Sequence, residues 1–600
     1  MGQVWESYQS WSYMMTIYLI FMNCCFLTHQ QQFNQSEIQK LFLEYVRKDV
    51  DFQPLLGTRL GDHRHSDKLE SLSENSLASL NKFHEETLII LENLWKSREK
   101  YSIGDRVDLE TWINHERRLR WINEIIQPIY TDPRIYSEYI SDSTFLLISQ
   151  TTLPPPVIYS SAIRRIREIP RIVREAKVNL FTQRKPRPAK VFVETAIRQN
   201  LGSLAWYRQG VIDQLGKSGP YDELVEACKE AVKSLEDYQK FLSNELLPLA
   251  NGDWRLGVDR YDQKLVLELE SSFSREQVAL QANREFSRVV SEMEILAKQL
   301  WAKLYPDRPV IPHHMSSNEI IQQVISVLSK DKVPVRELVE EAKRSSVDLK
   351  LFIRNRKILD LPDPDRCDIV EMPEFQRGNS VAYLNNAPPL DQNARSIYAI
   401  SPPPNDWDAR RVDTFLKEYN RRMMRILTLH EAYPGHYVQL EFANRNPSVI
   451  RKILASGVYI EGWAVHMEQV LLDEGFAGND LGLKLLQLKW YLRAIGNALL
   501  DQGMHCHGWS DEKALQFLVD ECFQSEAEAI GKITRSKQSS CQLSTYFVGR
   551  MAFQELRLNT QKRLGNSFDL KRYHHSVLEL GSVPVKHLSD LLIEKLPLQN

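Results

Sequence analysis

The chain has 600 residues and a formal net charge of −2 at pH 7, with 43% hydrophobic and 26% charged residues, an ordinary composition for a globular protein. The lack of a basic excess excludes a protein that binds nucleic acid through its net charge. Seven cysteines without a Cys-x-x-Cys pair argue against a disulfide scaffold and against a cysteine zinc knuckle.

Residues 1–35 form an apolar leader. The run Tyr13–Leu27 is too short to cross a bilayer comfortably and is more typical of the core of a secretory signal. However, Glu6 and no Lys or Arg precede it, and no clear cleavage site follows. Two alternatives therefore remain open: an exported protein, which is periplasmic, secreted or membrane-anchored, and a cytoplasmic protein. We expect no stable membrane span in either case.

From Ser36 onward, apolar residues recur at three- and four-residue steps, which predicts a mainly α fold. One segment, Arg395–Ser401, has strand character instead, because Ile397 and Ile400 flank Tyr398 between polar residues and prolines. A strand placed just before a metal-binding helix is of functional interest, since an exposed strand edge can hold an extended peptide by main-chain hydrogen bonds.

A candidate metal motif follows this strand. Apolar spacing over 412–427 predicts a helix, and His430 continues its inward-facing stripe. On a straight helix His436 would lie roughly 120° away from His430. Pro434 removes a helical hydrogen bond, and Gly435 permits unusual dihedral angles, so we expect a break that returns His436 toward His430. The zincin motif His-Glu-x-x-His brings two histidines together without such an insertion.

The third metal ligand is predicted to be Glu461. Glu461 and Glu468 are seven residues apart, and therefore on one helical face, among bulky apolar neighbours. Carboxylates are costly to bury there unless they are paired or bound to a metal. Two histidines and one carboxylate leave an open position for water, as in catalytic zinc sites. A pair of core histidines and a solvated acidic face are the alternative interpretations.

These residues resemble the bacterial family catalogued as "domain of unknown function 885". Its members carry a His-Glu-Ala-x-Pro-Gly-His motif and a downstream Glu-Gly-Trp-Ala segment, which stand here at His430–His436 and Glu461–Ala464. The stretches Gly57–Asp62, Leu247–Gly257 and Leu500–His505 are also similar to the family. The resemblance covers nearly the whole chain after the leader.

The resemblance implies a zincin-type metallopeptidase: one large helical unit over 36–600 that encloses a cleft, with its metal-site region at about 395–550. It does not fix a substrate. The chain departs from the family at His466, where a Tyr is usual, and near the C-terminus. Arg535, Gln542 and Tyr546 are retained there, but a Pro-Gly pair is lost, so the substrate preference is open.

The expected mechanism is metal-assisted hydrolysis. Zn²⁺ on His430, His436 and Glu461 would acidify a bound water and polarise the scissile carbonyl. Glu431 would act as general base, taking the proton of the water and passing it to the leaving amine. Glu468 would hydrogen-bond a ligand imidazole from behind.

An oxyanion donor is also required, and His505 and Tyr546 are the candidates. Asp501 lies four residues before His505, so on a helix it would orient that imidazole. Arg535 is a candidate for binding a substrate carboxylate. A core position for His505 and Tyr546, and a structural salt bridge for Arg535, are the alternatives.

The sequence therefore favours a zinc metallopeptidase acting on a peptide or small amide. A metallohydrolase of a non-peptide amide or ester, and a catalytically silent zinc-binding protein, remain as alternatives.

Overall fold

The computed structural model describes residues 36–181, 186–372, 377, 381–405 and 407–597, and these are mainly α-helical, as predicted. The predicted leader lies outside the described residues. None of the described helices is both long enough and apolar enough to cross a bilayer.

Helices account for most of the described chain, and a small sheet is inserted between the helices Leu338–Arg356 and Ala409–Glu418. In chain order the elements are α1 (Glu37–Phe52), α2 (Pro54–Leu60), α3 (Glu74–Lys96), α4 (Ile103–Trp121), α5 (Pro128–Thr131), α6 (Arg134–Ile148), α7 (Pro155–Leu180), α8 (Lys190–Ala205), α9 (Val211–Leu215), α10 (Tyr221–Lys240), α11 (Gly257–Leu269), α12 (Arg275–Leu304), α13 (Ser317–Leu328), α14 (Leu338–Arg356), β1 (Cys367–Glu371), β2 (Ala382–Asn385), β3 (Ser396–Ile400), α15 (Ala409–Glu418), α16 (Arg421–Glu431), α17 (His436–Arg445), α18 (Val449–Ile453), α19 (Gly457–Asp473), α20 (Leu481–Cys506), α21 (Asp511–Gln516), α22 (Glu526–Gln538), α23 (Thr545–Leu564), α24 (Leu570–Leu578) and α25 (Leu588–Lys595).

The strand predicted at 395–401 is confirmed as β3, but it is the central strand of the sheet. It pairs in parallel with β1 and antiparallel with β2, in the order β1-β3-β2. Both of its edges are therefore occupied, and the edge beside the candidate site belongs to β2. The sequence pattern showed only β3, because its residues are the most buried of the three strands.

Helices from distant parts of the chain pack together around the site. The side chain of Gln39 on α1 donates a hydrogen bond to the hydroxyl of Ser448 at 2.9 Å and accepts one from the amide of Val449 at 2.9 Å. The largest hydrophobic core joins helices from α11 to α25. Contacts of this kind fix the N-terminal helices against the region that carries the metal motif.

A cleft of about 1360 Å³ lies between these parts of the molecule. Helices α6 and α8 contribute lining residues from the N-terminal half, and α15, α16, α19, α20, α22 and α23 contribute them from the C-terminal half. Because charged and aromatic side chains line it, the cleft is a candidate active or binding site.

Candidate metal centre

Two helices, rather than the predicted continuous one, lead into the site. The break falls at Asn420, whose side-chain oxygen accepts hydrogen bonds from the amides of Arg422 at 3.1 Å and Met423 at 3.3 Å. This N-cap starts α16 afresh after α15 has ended. The apolar spacing continues across the break, so the periodicity alone predicted a single helix.

Helix α16 ends at Glu431, and α17 begins at His436. Between them the amide of Gly435 donates to the carbonyl of Leu429 at 3.0 Å. A Cβ atom at Gly435 would lie 1.8 Å from the carbonyl oxygen of His430, so only glycine fits this close approach. The turn brings the rings of His430 and His436 to a centroid separation of 4.6 Å, which is the predicted return.

Glu461 on α19 completes the group. Its Oε2 atom lies 3.4 Å from Nε2 of His436 and 3.8 Å from Nε2 of His430. One ligand atom from each of the three side chains lies within 4.8 Å of the others. The buried Oε2 atom has no hydrogen-bond partner among the described residues. The structure thus brings the three predicted ligands together, and their binding of a metal stays a prediction.

The donor set and its spacing fit Zn²⁺. Tetrahedral zinc binds nitrogen and oxygen at roughly 2.0–2.2 Å, which places ligand atoms roughly 3.3–3.6 Å apart. The separations of 3.4 Å and 3.8 Å at Glu461 lie close to this range. A carboxylate oxygen with no hydrogen-bond donor, facing two imidazole nitrogens, suits a shared cation.

Glu468 supports His430 from behind. Its carboxylate is fully buried and accepts a hydrogen bond from Nδ1 of His430 at 2.8 Å. It also accepts hydrogen bonds from Trp490 at 3.1 Å and from Gln487 at 3.4 Å. This arrangement directs Nε2 of His430 toward Glu461, as is usual for metal-binding histidines. Sequence analysis missed Trp490 and Gln487, because nothing in the pattern of α20 indicates a carboxylate from another helix.

The charges of the site stabilise one another. Burial lowers the pKa of His430, but the hydrogen bond and charge of Glu468 outweigh it and raise this pKa to about 9. Burial raises the pKa of Glu461, yet His436 and His430 outweigh that effect and hold it below its ordinary value. Without a metal, the positive charge of protonated His430 and the negative charge of ionised Glu461 therefore stabilise each other.

Glu431 lines the cleft beside the three predicted ligands. Burial and the charge of Glu461 raise its pKa, although the two histidines and the main chain of Leu384 on β2 oppose this. A carboxylate that is partly desolvated in this way is suited to accept a proton.

Tyr546, at the start of α23, also lines the cleft, and it lies near enough to Glu461 for each side chain to shift the pKa of the other. Burial and the charge of Glu461 raise its pKa to about 12, so the phenol keeps its proton at neutral pH. A close helix crossing holds it there. A Cβ at Gly462 would lie 2.4 Å from the backbone of Gly549, so α19 and α23 touch through their main chains.

Arg535 on α22 lines the same part of the cleft. Its guanidinium donates hydrogen bonds to Gln542 at 2.9 Å and to the hydroxyl of Tyr546 at 3.2 Å. The salt bridge considered as an alternative is not present among the described residues.

The structure does not bring His505 or Asp501 to the cleft. Nε2 of His505 donates to the carbonyl of Ser536 at 2.9 Å, and Nδ1 accepts from the amide of Leu256 at 3.4 Å. Asp501 accepts from Tyr261 at 2.6 Å, and its other oxygen lies 3.9 Å from His505, beyond a hydrogen bond. This histidine ties α20 to α22 through main-chain groups, so Tyr546 is the one predicted oxyanion donor at the cleft.

His466, where the chain departs from its relatives, is buried in the core and stacks on Phe553 with ring centroids 5.9 Å apart. It does not line the cleft. The sequence did not indicate that Lys532, or the ion pair of Glu528 with Arg493 at 2.8 Å, lines the cleft. Lys532 lies one helical turn before Arg535, a spacing that places both on one face and was available in the sequence.

The comparisons with known proteins agree with this fold. A family model described as "Bacterial protein of unknown function (DUF885)" matches residues 54–592. A solved structure from Shewanella oneidensis is 25% identical, with a TM-score of 0.77, and the match covers 93% of this chain and 100% of that one. A structure from Colwellia psychrerythraea is 18% identical, with a TM-score of 0.73, covering 93% and 98%. Both are described as putative lipoproteins, the first of unknown function. No curated protein matches the chain.

Proposed function

This chain belongs to the family of bacterial proteins of unknown function called DUF885, and we propose that it is a zinc-dependent hydrolase that cleaves peptide bonds. One observation carries the proposal: Oε2 of Glu461, without a hydrogen-bond partner, faces Nε2 of His436 and of His430 at 3.4 Å and 3.8 Å. His430 of this group lines a large cleft together with the carboxylate Glu431.

In this proposal His430, His436 and Glu461 hold the zinc ion. When bound, zinc lowers the pKa of a water ligand and polarises the carbonyl of the substrate. Glu468 fixes the ring of His430 in the orientation that leaves Nε2 free.

The other groups act on the reacting atoms. Glu431 accepts the proton of the attacking water and delivers it to the leaving amine. The phenol of Tyr546 keeps its proton and donates a hydrogen bond to the oxygen that becomes negatively charged. The edge of β2 that has no strand partner among the described residues, and whose Ala382 lines the cleft as Glu431 does, holds the main chain of the substrate by strand addition.

The test is the variant Glu431→Gln, which keeps the size of the side chain but cannot take a proton. Peptide hydrolysis should fall by about a hundred- to ten-thousandfold, while zinc content and folding stay as in the wild type. The measurements are turnover of a peptide pool by mass spectrometry and zinc by elemental analysis.

The matched control is Glu138→Gln, a carboxylate of the opposite cleft wall that accepts a hydrogen bond from Gln199 at 3.3 Å. It should retain full activity. A zinc-loaded wild-type protein that hydrolyses no peptide would refute the proposed function. Near-normal turnover by Glu431→Gln would refute only the role of Glu431 as general base and would leave the hydrolase function standing.

We also propose that the protein is exported. The support is the apolar run Tyr13–Leu27 together with the description given to both similar structures. Fractionation of cells that express the full chain should place it outside the cytoplasm, and recovery in the cytoplasm alone would contradict export.

A further inference from the structure

Two cations of α22, Lys532 and Arg535, are one helical turn apart and both line the cleft. Among the described residues, no carboxylate lies within ion-pair distance of either, and the side chain of Lys532 makes no hydrogen bond. Arg535 hydrogen-bonds only the neutral oxygens of Gln542 and Tyr546, at 2.9 Å and 3.2 Å.

Two acidic residues of the same cleft, in contrast, already have cationic partners. Glu528 pairs with Arg493 at 2.8 Å and accepts a hydrogen bond from Tyr419. Glu418 pairs with Lys489 at 2.9 Å. Neither carboxylate therefore lacks a counter-charge, as Lys532 and Arg535 do. The charge left over in this part of the cleft is positive, so the ligand that complements it is an anion.

The environment of Lys532 points the same way. Burial, and then the charge of Arg493, outweigh the attraction of Glu528 and lower its pKa to about 7. A half-buried ammonium group without a hydrogen bond is costly unless an anion reaches it. A carboxylate that forms charge-assisted hydrogen bonds with both Lys532 and Arg535 removes that cost.

The cations are close to the proposed metal site. The hydroxyl of Tyr546 is 3.2 Å from the Arg535 guanidinium, and the charge of Glu461 acts on both Tyr546 and Lys532. Both cations therefore lie near the predicted zinc ligand Glu461. In a peptide, the terminal carboxylate carbon is roughly 4 Å from the carbonyl carbon of the last peptide bond. An anion held here thus places the C-terminal end of a peptide at the reacting groups.

We propose that the substrate is a peptide with a free C-terminal carboxylate, that Lys532 and Arg535 bind this carboxylate, and that the enzyme cleaves at the C-terminal end. The inference rests on the hydrolase function proposed above. Cleavage adds water across one peptide bond: hydroxide goes to the acyl carbon, and the proton goes to the nitrogen that leaves. The products are a shortened peptide and a C-terminal amino acid or short fragment.

The experiment compares a pool of N-acetylated peptides as free acids with the same pool as C-terminal amides, each digested by the zinc-loaded enzyme and analysed by mass spectrometry. Hydrolysis of the acids should be at least about tenfold faster than that of the amides, since one charge-assisted contact is lost in the amide. The fragments released should come from the C-terminal end.

The variant Lys532→Met removes the charge and keeps an unbranched side chain. For the free-acid peptides KM should rise about tenfold with kcat little changed, as expected for lost binding that is equal in the ground and transition states. The amides should be unaffected, zinc content should stay the same, and Lys532→Arg should restore the preference for acids. The matched control is Lys537→Met on the same helix, where Lys537 pairs with Asp511 at 2.6 Å and does not line the cleft.

The outcomes separate the two proposals. Equal hydrolysis of acids and amides, or cleavage at internal or N-terminal bonds, overturns the inference and leaves the hydrolase function standing. An unchanged acid preference in Lys532→Met overturns the assignment of the carboxylate site. Absence of any hydrolysis by zinc-loaded protein overturns the proposed function, and the inference with it.

Discussion

Two clusters in this molecule each place a histidine beside a carboxylate on buried helices, and they differ in where their hydrogen bonds go. At the predicted metal site, Nε2 of His430 and Oε2 of Glu461 face each other without a hydrogen bond between them, and His430 lines the cleft. At His505, both ring nitrogens are engaged by the main chain, through Ser536 and Leu256, and the cleft lies elsewhere.

Residue type and spacing alone therefore do not distinguish a histidine with a free ring nitrogen from a structural one. A metal ligand needs a free lone pair that points at its neighbours, whereas a structural histidine uses both nitrogens to satisfy backbone groups. Variants in each cluster test this distinction, with zinc affinity and stability as the measured quantities.

The largest effect is expected from the ligands themselves. His436→Ala and Glu461→Ala each remove one of three predicted zinc-binding side chains, and stoichiometric zinc binding should be abolished. Elemental analysis of dialysed protein measures this, and circular dichroism checks that the helices are retained. Full zinc occupancy in either variant would show that the substituted residue is not a zinc ligand.

A smaller effect is expected from Glu468, which touches a ligand but not the metal. Glu468→Ala should weaken zinc binding by roughly ten- to hundredfold, because His430 loses the hydrogen bond at 2.8 Å that orients its ring. Competition with a chelator gives the affinity. If Glu468→Ala weakened zinc binding more than Glu461→Ala, the two carboxylates would have to exchange roles.

The smallest effect on zinc is expected at His505. His505→Ala should leave zinc affinity unchanged but lower the free energy of unfolding by about 1–3 kcal/mol, because the carbonyl of Ser536 loses its donor. Denaturant unfolding of the zinc-free protein measures this. A loss of zinc with unchanged stability would contradict the structural role of His505. The two clusters would then no longer differ in function.

Local signals in the sequence were sufficient to predict that His430, His436 and Glu461 lie together. Pro434 and Gly435 between the two histidines required a break, and the seven-residue spacing of Glu461 and Glu468 required a shared face, and both follow from backbone geometry. The helical class followed in the same way from periodicity. Each of these inferences depends on residues that are near one another in the chain.

What could not be predicted depends on contacts between distant segments. The partners of Glu468 on α20, the main-chain partners of His505 and the central position of β3 are fixed only when helices and strands pack. The missing acidic partner of Lys532 is likewise a property of the folded cleft. Helical periodicity shows which face is buried but not which element covers it.

The crossing of α19 and α23 at Gly462 and Gly549 has a consequence for how such a protein can diversify. Neither glycine can gain a side chain without separating the helices that carry Glu461 and Tyr546. The side chain of Lys532, in contrast, makes no hydrogen bond to another described residue. Position 532 can therefore change during evolution, and with it the ligand that the cleft binds. The two glycines, however, must be kept for Glu461 and Tyr546 to stay in place.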